Sequence, residues 1–116
     1  MSSDLGILKI SDDVIAVCAV RSAMETAGVA DMAPGITDSF SKNILDKEST
    51  SKGVKVNRED DEIILDIYVI VDYGVRIPSV AWNIQENVKK EVENISGSKV
   101  RSVNIHVQGV YFKEDK

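Results

Sequence analysis

His106 is the only histidine in the 116 residues and Cys18 the only cysteine, so acid–base or nucleophilic chemistry has little to draw on. His106 falls on the polar side of a strand-like alternation, with Asn104 and Gln108, while Asp66 and Asp72 lie on one side of an earlier alternating run. If the two strands are neighbours, a His–carboxylate pair forms, the smallest kit for a general base. No serine or cysteine accompanies it, so the expectation is a histidine facing solvent or an interface. Cys18 sits in the apolar run Val14-Ile15-Ala16-Val17-Cys18-Ala19-Val20 with one flanking cation, Arg21, and reads as a buried, reduced, structural thiol. The acidic run Glu59-Asp60-Asp61-Glu62 lacks the alternating spacing and glycine of a calcium loop. No Cys/His pair stands at zinc spacing, and neither metal nor cofactor is expected.

One junction has the outline of a phosphate site: YGVRIPSV, residues 73–80, runs from a strand through a glycine into a helix. Phosphate cradles need several converging backbone N–H groups, and here one glycine is followed by Pro78, which removes a donor. Gly74 and Pro78 are therefore expected to turn the chain, and no catalytic residue is expected anywhere.

The elements that must position these residues follow from periodicity. Residues 6–10, GILKI, read as a first strand; Ser11 then caps a helix from about Asp12 to Thr26 that Gly28 ends, with Asp12 and Asp13 at the positive end of its dipole. This helix has no clean polar face, so it should be covered on more than one side, either within its own domain or by a second copy of it. Ile36, Phe40, Ile44 and Leu45 suggest a short amphipathic helix, followed by a mobile segment over about 46–53. Val54–Val56 should pair with Glu62–Asp72 across a turn at residues 57–61. In the longer strand Ile63, Leu65, Ile67, Val69 and Val71 make one purely apolar face, and Ile64, Asp66, Tyr68, Ile70 and Asp72 a mixed one. The next helix begins near Pro78 and ends at Gly97, with Ile77, Val80, Ala81, Ile84, Val88, Val92 and Ile95 on one apolar stripe. A last strand, about 99–108, places Arg101, Val103, Ile105 and Val107 on one side, before a tail that ends in charge over about 113–116.

The expected fold is α+β, a two-layer sandwich in the order β-α-(short α)-β-β-α-β, with an antiparallel or mixed sheet and helices on one face. A single domain over residues 1–116 fits the length, which suffices to bury roughly two-thirds of the unfolded surface. The formal charge of −5 leaves no excess of cations for nucleic acid. No basic leader precedes an apolar stretch and no run approaches the roughly 18 residues that span a bilayer, so a cytoplasmic protein without direct membrane insertion is expected.

Trp82 stands about 140° from the centre of its helix's apolar stripe on a 100° wheel. The core does not need it, and tryptophan is enriched at binding hot spots. Trp82, Tyr68, Ile64, Ile70 and His106 are the candidate interaction residues, with Gly74, Pro78 and Gly97 as structural turns.

Three stretches carry a resemblance: ISDDVIAVCAVRSAMETAGVADM, KGVKV, and DIYVIVDYGVRIPSVAWNIQENVKKEVENISGSKVRSVNIHVQGVYF. From about Ile7 to Phe112 the chain resembles the alkaline shock protein family of Gram-positive bacteria, also called the envelope stress protein family. The resemblance implies a small cytoplasmic protein of Firmicutes without established enzymatic activity and with no agreed catalytic motif. Such proteins are associated with envelope stress and homeostasis, some clustering at the membrane through a separate anchored partner, and one branch is linked to fatty-acid synthesis. The expected function is thus a non-enzymatic stress-response module that binds a copy of itself, a membrane-anchored protein or a lipid-metabolism enzyme. The alternative is a regulatory or small-ligand-binding domain in fatty-acid metabolism, its pocket between the sheet and residues 36–45.

Overall fold

A computed structural model of the protein describes residue 6 and residues 8–34, 50–51 and 53–112. Helix α1 spans Asp12–Met24, and the Ser11 hydroxyl accepts from the Val14 N–H at 3.2 Å, as a capping serine should. Its Ile15, Ala16, Ala19 and Ala23 are fully buried, and three alanines let the helix approach its neighbours closely. Val14, Val17 and Met24 remain exposed on its outside, so within the described chain one side of the helix is left uncovered. Helix α2 spans Ile77–Ser96, with Pro78 in its first turn and Gly97 in the left-handed conformation at its end, the Gly97 N–H donating to Glu93 at 2.9 Å. Val80, Ile84, Val88 and Val92 form its buried stripe, while Ile77 and Ile95, expected on it, lie exposed at the two ends of the helix and Ala81 is half-buried.

Five strands make one sheet: β1 Val29–Met32, β2 Thr50–Ser51, β3 Val54–Glu59, β4 Glu62–Asp72 and β5 Val100–Tyr111. β4 is central. On one edge β3 pairs antiparallel with its first half, from Glu59↔Glu62 to Val54↔Ile67. β1 continues along the same edge, antiparallel, from Met32↔Val69 to Val29↔Val71. β5 runs parallel to β4 along the other edge, so the sheet is mixed. A parallel neighbour needs a crossover, and α2 supplies it. Both helices pack on the face bearing Ile63, Leu65, Ile67, Val69 and Val71, each at most 1% exposed. The α+β class, with helices against one sheet face, is the expected one.

The order of elements differs from the sequence reading in instructive ways. Residues 6 and 8–10 form no strand: Ile10 instead packs on the core, and its carbonyl accepts from Arg58 at 3.5 Å. Val29–Met32 is a strand because β4, at 11 residues, outruns the 6 of β3 and leaves half an edge for another strand to fill. The β3–β4 turn is tighter than expected, since Asp60 and Asp61 alone make it, at φ 52 and 68, the positive values that a two-residue hairpin demands. Arg101 leaves the apolar side of β5 because the register shifts between Ile63↔Val100 and Ile64↔Ser102. It pairs instead with Glu59 at 2.9 Å and Glu62 at 3.0 Å, tying β5 to the hairpin. β5 also runs past Gln108, through a second register shift, to Tyr111. The short helix proposed for residues 36–45, most of the segment 46–53, and the tail 113–116 lie outside the described residues.

Gly28, at φ 98, carries the chain from α1 into β1 beneath α2. A Cβ there would meet Val80 Cγ2 at 2.6 Å. Cys18 is half-buried on α1 beside Arg21, Ser22, Glu25, Glu91 and Ile95. Burial pushes its thiol up, the Glu91 carboxylate adds to this, and Arg21 opposes it.

Two outcomes follow from these contacts. Gly28→Ala is expected to cost about 1–3 kcal/mol in urea unfolding, from a positive φ imposed on an L-residue and the clash with Val80. Cys18 should react with iodoacetamide more slowly than a free thiol at neutral pH, and Glu91→Gln should speed the reaction by removing a negative neighbour of the thiolate.

Candidate interaction surface

The second face of β4 is built by the same alternation that builds the core. Ile64, Asp66, Tyr68, Ile70 and Asp72 point away from the helices and are all half-buried. Neighbouring strands extend this face through the register. β3 sets Asn57 opposite Ile64 and Lys55 opposite Asp66, and β5 sets Asn104 opposite Asp66 and His106 opposite Tyr68. No described element covers the face.

At its centre the imidazole of His106 lies parallel to the Tyr68 ring, centroids 4.5 Å apart and planes 13° from parallel. His106 Nε2 lies 3.0 Å from Asp66 Oδ1, and the same oxygen accepts from the Asn104 side-chain amide at 3.2 Å. The pairing conceived from sequence thus forms with Asp66. Asp72 is opposite Tyr111, further along β4, and makes no such contact. The arrangement fixes the imidazole's orientation by a ring on one side and a carboxylate at one edge. Among the described residues no Ser, Thr or Cys side chain bonds to His106, and an oriented imidazole of this kind is a recognition element as readily as a base.

Ile64 and Ile70 frame the Tyr68–His106 stack along β4, so four of the five candidate residues lie on one surface. Trp82 is the fifth and lies elsewhere. It is 58% exposed on the helix layer, beside a shallow depression lined by Arg76, Pro78, Ser79 and Asn83. The sheet separates the two surfaces.

The sequence reading missed a second aromatic pair. Tyr73, just past β4, stacks on Phe112, just past β5, with centroids 4.5 Å apart. Tyr73, Tyr111 and Phe112 are all more than half exposed and border a shallow cleft with Asp72. The only signal for it was the apolar text GVYF, which a strand ending at Gln108 would leave in a tail. The pocket expected between the sheet and residues 36–45 involves residues outside those described. Among the described residues no helix is long and apolar enough to cross a membrane.

The chain is 44% identical to Bacillus subtilis YloU over 107 residues, covering 90% of this chain and 88% of that protein. It is 38% identical to YqhY of the same species over 112 residues, covering 93% and 79%. A Streptococcus pyogenes protein described as a stress response regulator gls24 homolog is 27% identical over 84 residues, 69% of this chain and 47% of its own length. Among solved structures, a MamM CTD variant aligns with a TM-score of 0.49 at 14% identity, over 89% of this chain and 96% of that one. The family model of alkaline shock protein 23, described by a cell envelope-related function, matches residues 1–112. The chain therefore belongs to the alkaline shock protein 23 family, whose description is a cell envelope-related function.

Proposed function

We propose that this protein is a non-enzymatic interaction module of the cytoplasm that serves the envelope stress response by binding other proteins, a copy of itself or a membrane-anchored partner among them. The observation that carries the reading is the open face of β4. A strand of 11 residues presents Ile64, Tyr68 and Ile70, stacked and framed with His106, on a side that no described element covers. Half-buried isoleucine and a tyrosine with a polar tip are the usual anchors of a protein interface. The exposed Trp82 adds a second anchor on the helix side. The family's envelope-related description and the stress-regulator name of a relative set the process that such contacts would serve.

Chemistry is the weaker reading of the same residues. His106 and Asp66 are partly exposed, and among the described residues no hydroxyl or thiol bonds to them. A substitution that spares the fold and abolishes association is expected to abolish function with it.

Photo-crosslinking in cells tests this directly. A benzophenone amino acid placed at Tyr68, and separately at Trp82, should give discrete protein adducts in the cytoplasmic or membrane fraction. Adducts with an enzyme of lipid metabolism in place of envelope proteins would move the client to fatty-acid synthesis. Failure to form adducts at either position, with the protein folded and abundant, would overturn the module reading.

A further inference from the structure

Two side chains of α2 reach the outer margin of β5. The Gln85 amide donates to the Val103 carbonyl at 2.9 Å, and a Glu93 carboxylate oxygen accepts from the Val100 N–H at 2.8 Å. Both contacts set one flank of α2 along the edge that β4 does not occupy. They also show which main-chain groups point outward. Direction alternates along a strand, so an outward Val103 carries Ile105 and Val107 with it, up to the register shift beyond Val107. No described residue bonds to the outward N–H and C=O groups of Ile105 and Val107.

Open edges are normally guarded by lysine, by an inward charge or by proline. Residues 102–110, SVNIHVQGV, contain no Lys, Arg, Asp, Glu or Pro. The register shifts lie toward the two ends of β5, which leaves the stretch Ser102–Val107 regular.

Trp82 belongs to the same margin. At about 100° per residue it lies about 60° from Gln85 and about 20° from Glu93 around the helix, on the flank those two side chains define. Glu93 reaches Val100 and Gln85 reaches Val103, so moving back along α2 moves forward along β5. One turn before Gln85, Trp82 is therefore level with the strand beyond Val103, on the same flank of α2 but turned further from the sheet than Gln85. At 58% exposure most of its ring faces solvent.

We infer that a second copy of this chain pairs along β5, antiparallel, about a two-fold axis near Ile105. The pairing joins two sheets into one and brings the two Trp82 side chains together on the helix side. Two-fold symmetry makes the strand its own complement. It opposes no like charges, since His106 is the only titratable side chain between Ser102 and Val110 and is held by Asp66 on the open face. A foreign strand would satisfy the open main-chain groups equally, but a second copy also brings a second Trp82 to meet the first. The inference rests on the reading of the protein as an interaction module and names one partner and one surface for it.

Sedimentation equilibrium on the whole chain tests it. Wild type should dimerise at micromolar concentration, and the amides of Ile105 and Val107 should exchange with deuterium more slowly as concentration rises. Val107→Pro deletes an outward N–H that β4 does not use, a place where an edge strand accepts proline. That variant and Trp82→Ala should each raise the dimer dissociation constant at least about tenfold with unchanged circular dichroism. Should Val107→Pro not fold, amide exchange and Trp82→Ala decide the matter. A wild-type monomer with fast exchange at Ile105 and Val107, or a dimer indifferent to both variants, overturns edge pairing. Either result leaves the module reading to the crosslinking at Tyr68, which fails or stands separately.

Discussion

Ile63, Leu65, Ile67, Val69 and Val71 are at most 1% exposed, and the rest of the molecule is arranged around burying them. Each such side chain contributes about 1.5–3 kcal/mol on leaving water. They lie on one face of a single strand, so the helices that cover them must lie on that face too. α1 brings Ile15 and three alanines, and α2 brings a valine and isoleucine stripe, and together these close the core. Gly28 is the tightest point of that closure, since α2 presses Val80 against it.

A strand buried on one face by a single layer of helices leaves its other face uncovered, as antiparallel and mixed sheets commonly do. The chain has put isoleucine, tyrosine and histidine there rather than only charge. The polar groups at the centre of that face are paired within it: Asp66 accepts from two neighbours, and His106 is stacked as well as hydrogen-bonded. The surface is thus ordered before any partner arrives, which lowers the entropy lost on binding. The crossover through α2 has a second consequence. By making β5 a parallel outer strand, it creates an edge on one side of the sheet with α2 running above it and Trp82 at its margin.

Much of this was legible because local chemistry and tertiary packing agree. Ser11 and Gly97 cap their helices as their residue types require, and Pro78 sits where a missing N–H is harmless. The core face of β4 was plain from alternation alone, and so was the displacement of Trp82 from the stripe of α2. The His106–Asp66 contact was foreseeable as a shared face, while the choice of Asp66 over Asp72 needed the register. What was misread has a common cause. Val29–Met32 has no strand signal of its own and becomes one by filling the edge that β3 leaves open. Arg101 and the Tyr73–Phe112 stack depend on register shifts in β5, which periodicity presumes away. Residues 6 and 8–10, expected in a first strand, pair with no described strand, and Ile10 packs on the core instead.

The sequence by itself determined the helices, the hairpin, the apolar face of β4 and the candidate surface residues, because each depends on residues close together in the chain or on a simple period. Only the tertiary structure decided that β5 runs parallel to β4 as an outer strand of the described sheet, that His106 meets Asp66 on the Tyr68 ring, and that Trp82 lies on the helix side rather than the open face. Those facts are relations between strands and helices distant in sequence, and they are fixed by register and crossover direction, which no single segment encodes.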